Sequence, residues 1–302
     1  MKNILIIGSL NMDIVVNMER MPVVGQTVHG NGYWMNAGGK GANQGCAVGK
    51  LGGSITMLGC VGADEYGEQL IENLKMSGVN TKYIKKVDET TGTAFIFTDS
   101  DAHNSIVTIN GANRYCDINL IENNKKLIQD CDYLLMQLET PNDAVYYAID
   151  IAYEYGKTII LNPAPAPINI SDSILRKIDF LTPNETELTT ISGCQCDSVK
   201  EMVRAGEKLI ERGVKNVIVT VGELGAIWIY KEGYELVKGK KVNAVDTTAA
   251  GDCFNGAFAV ELANGGSVYH SIQKANLAAS ISVTRKGAQM SLPSKEELDK
   301  LE

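Results

Sequence analysis

Short apolar runs rich in β-branched residues alternate with segments of helical period along most of the chain. A strand apolar at consecutive positions has no face to offer water, so the pattern predicts a mostly parallel sheet covered by helices on both sides. Buried strands are expected at residues 4–7, 55–60, 133–138, 158–161, 180–182 and 217–221, and helices at 66–76, 118–128, 143–155 and 199–212. Gly78, Gly156 and Gly213 stand where helix C-caps favour glycine. Two stretches, 13–34 and 92–110, read as strands without a crossover helix, with Ala94-Phe95-Ile96-Phe97 facing Ser105-Ile106-Val107-Thr108-Ile109 across a polar turn. They are expected to form a small second sheet, an insertion flap over the main body. No internal repeat, low-complexity tract or Pro-rich linker divides the chain, so residues 1–302 are expected to be one α/β domain.

Composition narrows the class. With 44% hydrophobic and 21% charged residues the 302-residue chain is of globular type and long enough for a sizeable core. The apolar run at 4–7 is too short for a signal peptide and ends in Gly8, and no stretch reaches the roughly 18 to 20 apolar residues that span a bilayer. The chain is therefore expected to be soluble, untargeted and cytoplasmic, with no membrane partner. Seven scattered cysteines, an odd number, fit reduced thiols better than a disulfide framework, and Cys194-Gln195-Cys196 lacks the second ligand pair of a zinc site. A net charge of -8 with interspersed signs argues against nucleic acid as the partner, so an anionic nucleotide needs a locally positive pocket.

The most informative stretch is Val245-Asp246-Thr247-Thr248-Ala249-Ala250-Gly251-Asp252-Cys253-Phe254-Asn255-Gly256-Ala257-Phe258. The spacing of Phe254, Ala257, Phe258 and Leu262 is helical, so Ala249, Ala250, Gly251 and Asp252 form a small-residue turn feeding a helix N-terminus. Unpaired N–H groups and a partial positive charge there suit a phosphate, and small residues permit close approach. Alone, Asp252 reads as a helix-start acid. In this turn it is placed to take a proton from an incoming hydroxyl, a contribution of about 10²- to 10⁴-fold. A second glycine-rich stretch, Asn36-Ala37-Gly38-Gly39-Lys40-Gly41-Ala42-Asn43-Gln44, is not a P-loop, because Gly follows Lys40 and the upstream glycine spacing differs. By itself it is a turn before a helix at 42–51.

Together these stretches resemble the signatures of the ribokinase and adenosine kinase superfamily, and the double alanine before Gly251 resembles its ribokinases. The resemblance runs through the whole chain. It implies a doubly wound, mostly parallel sheet with helices on both faces and a β lid formed by insertions at about 11–37 and 92–110. It implies that Asn11 and Asp13, after the first strand, bind sugar hydroxyls with Gly39, Lys40, Asn43 and Glu139. Asp252 is then the general base that faces the acceptor hydroxyl, in a 249–252 anion hole. On the nucleotide side it implies Asn184 near the phosphates, Thr220, Gly222, Glu223 and Gly225 in an ATP-binding turn, Gly251 at the phosphates and Asn276 against the adenine. Glu187 is implied to help hold hydrated Mg²⁺. Asp246, Thr248, Ser282, Arg285, Gly287 and Ser291 resemble a monovalent-cation shell, usually for K⁺, with Arg285 and Gly287 contributing carbonyls. The implied activity is ATP-dependent phosphorylation of ribose at its 5-hydroxyl in a homodimer joined through the lid. Another sugar or nucleoside, and a silent sugar-binding regulator, are the alternatives.

Overall fold

The computed structural model of the protein describes residues 2–101 and 103–301; the expected unit's two terminal residues and residue 102 of its second insertion lie outside them. Its strands are β1 (Asn3–Ile7), β2 (Asn11–Met18), β3 (Gly30–Gly38), β4 (Ser54–Gly62), β5 (Asn80–Val87), β6 (Gly92–Thr98), β7 (Asn104–Ile109), β8 (Tyr133–Met136), β9 (Thr158–Leu161), β10 (Phe180–Leu181), β11 (Asn216–Thr220), β12 (Gly225–Tyr230) and β13 (Gly233–Lys238). Its helices are α1 (Lys40–Lys50), α2 (Glu65–Met76), α3 (Ile118–Asn123), α4 (Lys125–Asp130), α5 (Asn142–Glu154), α6 (Asp172–Leu175), α7 (Glu185–Ser192), α8 (Val199–Glu211), α9 (Ala250–Ala263), α10 (Val268–Ser282) and α11 (Lys295–Asp299). None of them is long and apolar enough to cross a membrane.

The main sheet has the order β13-β12-β11-β10-β9-β8-β1-β4-β5, parallel from β11 through β5. Its consecutive apolar residues are explained by burial on both faces. Leu5 and Ile7 of β1 join a cluster with Val145 and Ile149 of α5, Leu188 of α7 and Leu209 of α8. Ile4 and Ile6, one residue out of phase, join Val48 of α1, Leu74 of α2, Phe258 of α9 and Ile272 of α10. All four β1 side chains are almost fully buried, each a stabilisation of about 1.5–3 kcal/mol. Gly78, Gly156 and Gly213 adopt positive φ just past their helices, as expected.

The helix expected at 118–128 is instead two short ones. Asn124 separates them and its Nδ2 donates to the Leu120 carbonyl at 2.9 Å, drawing off an acceptor that helix continuation needs. Strands β5, β12 and β13 were not among those expected. They sit at the two edges, where β5 is half polar with Lys82, Lys85 and Lys86, and β12 and β13 form an antiparallel hairpin.

The second sheet has the order β3-β2-β6-β7, with β6 antiparallel to β7 and Ile96 opposite Ile106. The two insertions meet in the parallel pair β2 and β6. Asn11 is opposite both Gly38 and Gly92, which roots this sheet at one point beside the carboxyl end of β1. That end, between β4 and β8, is where the chain reverses its direction of sheet growth and where open α/β sheets place ligands.

Candidate active site

Helix α9 begins without a side-chain cap. Its N-cap residue, Ala249, lies in the left-handed region at φ 58, the one non-glycine residue with positive φ among those described. Alanine there carries a strain of about 1–2 kcal/mol and gives the first turn no acceptor. Ala250 turns its N–H back onto the Thr247 carbonyl at 3.2 Å. Gly251, in the first helical turn, has open space where a Cβ would stand. The turn is fixed from behind: Thr182 donates to Asn255 Oδ1 at 2.6 Å, and Asn255 Nδ2 donates to the Gly251 carbonyl at 2.8 Å.

Asp252 is buried, and both carboxylate oxygens accept amide hydrogen bonds, Oδ2 from Asn43 Nδ2 and Oδ1 from Gln44 Nε2, each at 2.9 Å. Burial pushes its pKa above the ordinary carboxylate range, while the Lys40 ammonium and the two amides pull the other way. Asn43 accepts from Gln289 Nε2 through its own Oδ1 at 3.1 Å. Both ends of the Asn43 amide are therefore engaged within the protein, and its side chain supports Asp252.

Of the expected sugar-side residues, Asn11, Lys40 and Glu139 line a cavity of about 710 Å³ together with Asn113, Leu138 and Glu187 among others, whereas Asp13, Gly39 and Asn43 are not in its walls. Glu139 Oε2 accepts from Ser9 Oγ at 2.5 Å and from the Lys40 backbone N–H at 3.0 Å, tying the loop after β8 to the start of α1. Asn11 is held by Asn113, whose Nδ2 donates to Asn11 Oδ1 at 2.7 Å. Gly39, at φ 86, allows this closeness, since a Cβ there would lie 2.6 Å from the Asn11 backbone nitrogen. Burial, followed by the charges of Glu139 and Asp252, raises the Asp13 pKa to about 7, against the pull of Lys40. Burial alone would lower the Lys40 pKa, but Asp252, Glu139, Glu187 and Asp13 outweigh it and hold the ammonium above its usual value.

A smaller cavity of about 210 Å³ is lined by Lys40, Asn162, Glu187, Ala249, Gly251 and Asp252 among others, and a third, of about 270 Å³, by Gly222, Glu223, Gly225, Thr247, Ala250 and Asn276 among others. Lys40 and Glu187 belong to the walls of the first two, and Thr247 and Ala250 to those of the last two. Asp252 and the start of α9 thus stand between one end of a trough and the other.

Asn184 and Glu187 form a reciprocal capping box on α7: Asn184 Oδ1 accepts from the Glu187 N–H at 2.8 Å, and Glu187 Oε2 from the Asn184 N–H at 2.9 Å. The cap leaves Glu187 Oε1 for the cavity. A single carboxylate oxygen beside a phosphate-sized space fits Mg²⁺, which keeps most of its waters and takes few protein ligands. Burial raises the Glu187 pKa, countered by the cap and by Lys40. Thr220 ends β11 and donates its N–H to the Pro183 carbonyl at 3.0 Å. Gly222 and Glu223 form a turn closed by Gly225 at φ 101. Asn276 Nδ2 donates to the Val237 carbonyl at 2.9 Å, holding the end of β13 against the third cavity.

Five of the six residues of the expected cation shell lie on two loops that are bonded to each other, and the sixth, Ser282, ends α10. Asp246 Oδ2 accepts from the Gly287 N–H at 2.9 Å, Oδ1 accepts from the Thr248 N–H and hydroxyl, and the Val283 carbonyl accepts from the Asp246 N–H. Ser282 and Ser291 donate their buried hydroxyls to backbone carbonyls, leaving oxygen lone pairs. The Arg285 guanidinium donates to Glu297 Oε1 at 2.6 Å. Burial tends to raise the Asp246 pKa, but the bonds from Thr248 and Gly287 hold the carboxyl below its ordinary value. An anionic, all-oxygen set of this kind fits a hard monovalent cation.

Sequence reasoning missed Asn113, Gln137, Asn162, Thr182, Asn255 and Gln289 as parts of this site. Asn162 and Thr182 directly follow β9 and β10, so their strand-end position was a usable signal. Gln289 had none.

Residues 1–295 match the family described as pfkB family carbohydrate kinase. The chain is 39% identical over 298 residues to the deoxyribokinase of Salmonella typhi, covering 98% of this chain and 97% of that protein. It is 38% identical over 297 residues to the ribokinase of Haemophilus influenzae, again covering 98% and 97%. Arabidopsis thaliana ribokinase complexed with ribose and ATP superposes with a TM-score of 0.94 at 32% identity, covering 99% of this chain and 98% of that one. An uncapped helix start above a buried, amide-held carboxylate, on a fold matched over nearly its full length, is thus no isolated likeness: the chain belongs to the pfkB family of carbohydrate kinases.

Proposed function

We propose that the protein transfers the γ-phosphate of ATP to the 5-hydroxyl of D-ribose, yielding ribose 5-phosphate and ADP. The observation that carries this reading is the position of Asp252, at the foot of an uncapped helix start and in the wall of a phosphate-sized cavity that shares Lys40 and Glu187 with the larger one. Ribose lies in the larger cavity, its hydroxyls met by Asn11, Asp13 and Glu139, and ATP runs from the phosphate cavity to the third, near Gly225 and Asn276. Asp252 accepts the hydroxyl proton as the new O–P bond forms and the bond to the leaving ADP oxygen breaks. The N–H groups at Gly251 and Asp252 and the Lys40 ammonium hold the transferring phosphoryl group. Glu187 would hold Mg²⁺, which when bound neutralises phosphate charge. The loops at Asp246 and Gly287 would hold K⁺, whose role is to fix the geometry of the turn.

The second sheet serves as a lid within one domain, rooted at Asn11 and closing over the sugar to exclude water. Its exposed residues on the face opposite Ile106, including Tyr33 at 71% and Val107 at 55% exposure, form the contact of a homodimer. Seven free thiols, six of them buried, suit a reducing cytoplasm.

A second sugar has specific support, because the deoxyribokinase relative is as similar as the ribokinase one. Initial rates with ATP and Mg²⁺ on ribose, deoxyribose, fructose and adenosine decide between them. Ribose is expected to give the highest kcat/KM, and more so in K⁺ than in Na⁺. A higher value for any rival overturns the ribose assignment, and equal rates in the two salts overturn the K⁺ role.

A further inference from the structure

While ionised, Asp252 can only accept hydrogen bonds, and that sets the direction of every amide behind it. Asn43 must turn Nδ2 toward the carboxylate, which leaves Oδ1 to accept from Gln289 Nε2. Gln289 then presents Oε1, which accepts from Asn73 Nδ2 on α2. On the other oxygen, Gln44 donates to Asp252 and to Asn162 Oδ1 and accepts from Gln137 Nε2 at 2.6 Å. The longer chain leaves the active site and is anchored away from it. Gln289 is buried, and its carbonyl accepts from the Lys50 ammonium at 2.6 Å.

We infer that Gln289 is a positioning residue for the phosphoryl transfer proposed above: with Asn73 it locks the Asn43 amide donor-side toward Asp252, so that the base stays deprotonated and correctly aimed. An amide is nearly symmetric in shape, and nothing steric stops Asn43 from turning over once Gln289 no longer donates to it. Turned over, it offers Oδ1 to the carboxylate, an arrangement tolerable only when Asp252 carries a proton. Loss of the relay therefore favours the protonated base and moves the acid limb of kcat to higher pH. Lys40, Asp13, Glu139, Glu187 and the neighbouring Cys253 also face Asp252, and all are left in place by the variants below.

The test is kcat and sugar KM across pH for the full chain, Gln289→Met and Gln289→Glu. Gln289→Met keeps volume and removes the donor. It is expected to lower kcat on the order of ten- to a hundredfold, to move the acid limb upward and to leave KM within about threefold. Gln289→Glu still accepts from Asn73 but calls on Asn43 to donate to it, so its effect is expected to be larger. If the Met variant does not fold, Asn73→Leu, at the half-buried end of the relay, carries the same directional prediction. An active parent whose folded variants keep kcat, or lose kcat with the acid limb unmoved, overturns the relay alone. A parent that phosphorylates no sugar contradicts the kinase reading itself.

Discussion

Lys40 is the cation around which the charges of the site are arranged, with Asp252, Glu139, Glu187 and Asp13 all acting on it. Four carboxylates about one ammonium leave this cluster with an excess of acidic groups, which favours a nucleotide that brings Mg²⁺ with it. Two of the cysteines behave oppositely. Cys253, next to Asp252 in the chain, is fully buried, which pushes its thiol up to about 12. Cys194 is half-buried, and the hydrogen bond from Lys208 at 2.9 Å lowers its pKa. Iodoacetamide at neutral pH, followed by peptide mass spectrometry, is expected to label Cys194 first and Lys208→Met is expected to slow that labelling; faster labelling of Cys253 would contradict this. Residues acting through backbone position or charge, such as Gly39, Lys40 and Asp252, were legible in the sequence because each lies in a compact motif. Gln289 was not, since its partner Asn43 lies 246 residues away and a lone glutamine in a loop carries no pattern.

At the level of elements, the start of α9 combines three local choices that would ordinarily weaken a helix: no side-chain cap, a left-handed alanine, and an acid placed where it is buried. On the proposed mechanism the missing cap leaves N–H groups for an anion, and the buried acid serves as the base. Ala249→Gly is expected to change stability by less than about 1 kcal/mol, because release of left-handed strain offsets glycine's greater unfolded-state freedom, and to retain most of kcat. Ala249→Val places a β-branched residue in the same conformation and is expected to lose about 1–3 kcal/mol and most of the activity. Urea unfolding and kcat of the two variants check this; a glycine variant less stable than the valine one would contradict it. The small-residue turn was legible from composition, whereas the positive φ of Ala249 was not, because alanine has no preference for it. Likewise the central strands were legible from consecutive apolar residues. The half-polar edge strand β5 and the hairpin strands β12 and β13, lacking crossover helices, did not share that signal.

Over the whole molecule, the carboxyl ends of β1, β8, β9, β10 and β11 bring together residues from near residue 9 to residue 255, and the α9 and α1 N-termini converge on the same point. The double winding of the sheet does this, and the sequence disclosed it through strand spacing. Sugar identity is less legible, because the residues proposed to recognise it come from the first insertion and from the loop after β8. The central claim, that Asp252 takes the proton, does not depend on which sugar is bound. It is tested most directly by kcat and sugar KM of Asp252→Asn, which keeps the side-chain shape and removes the proton acceptor. The expected result is a fall in kcat of about 10²-fold or more with sugar KM within several-fold; a kcat close to that of the parent protein would contradict the account.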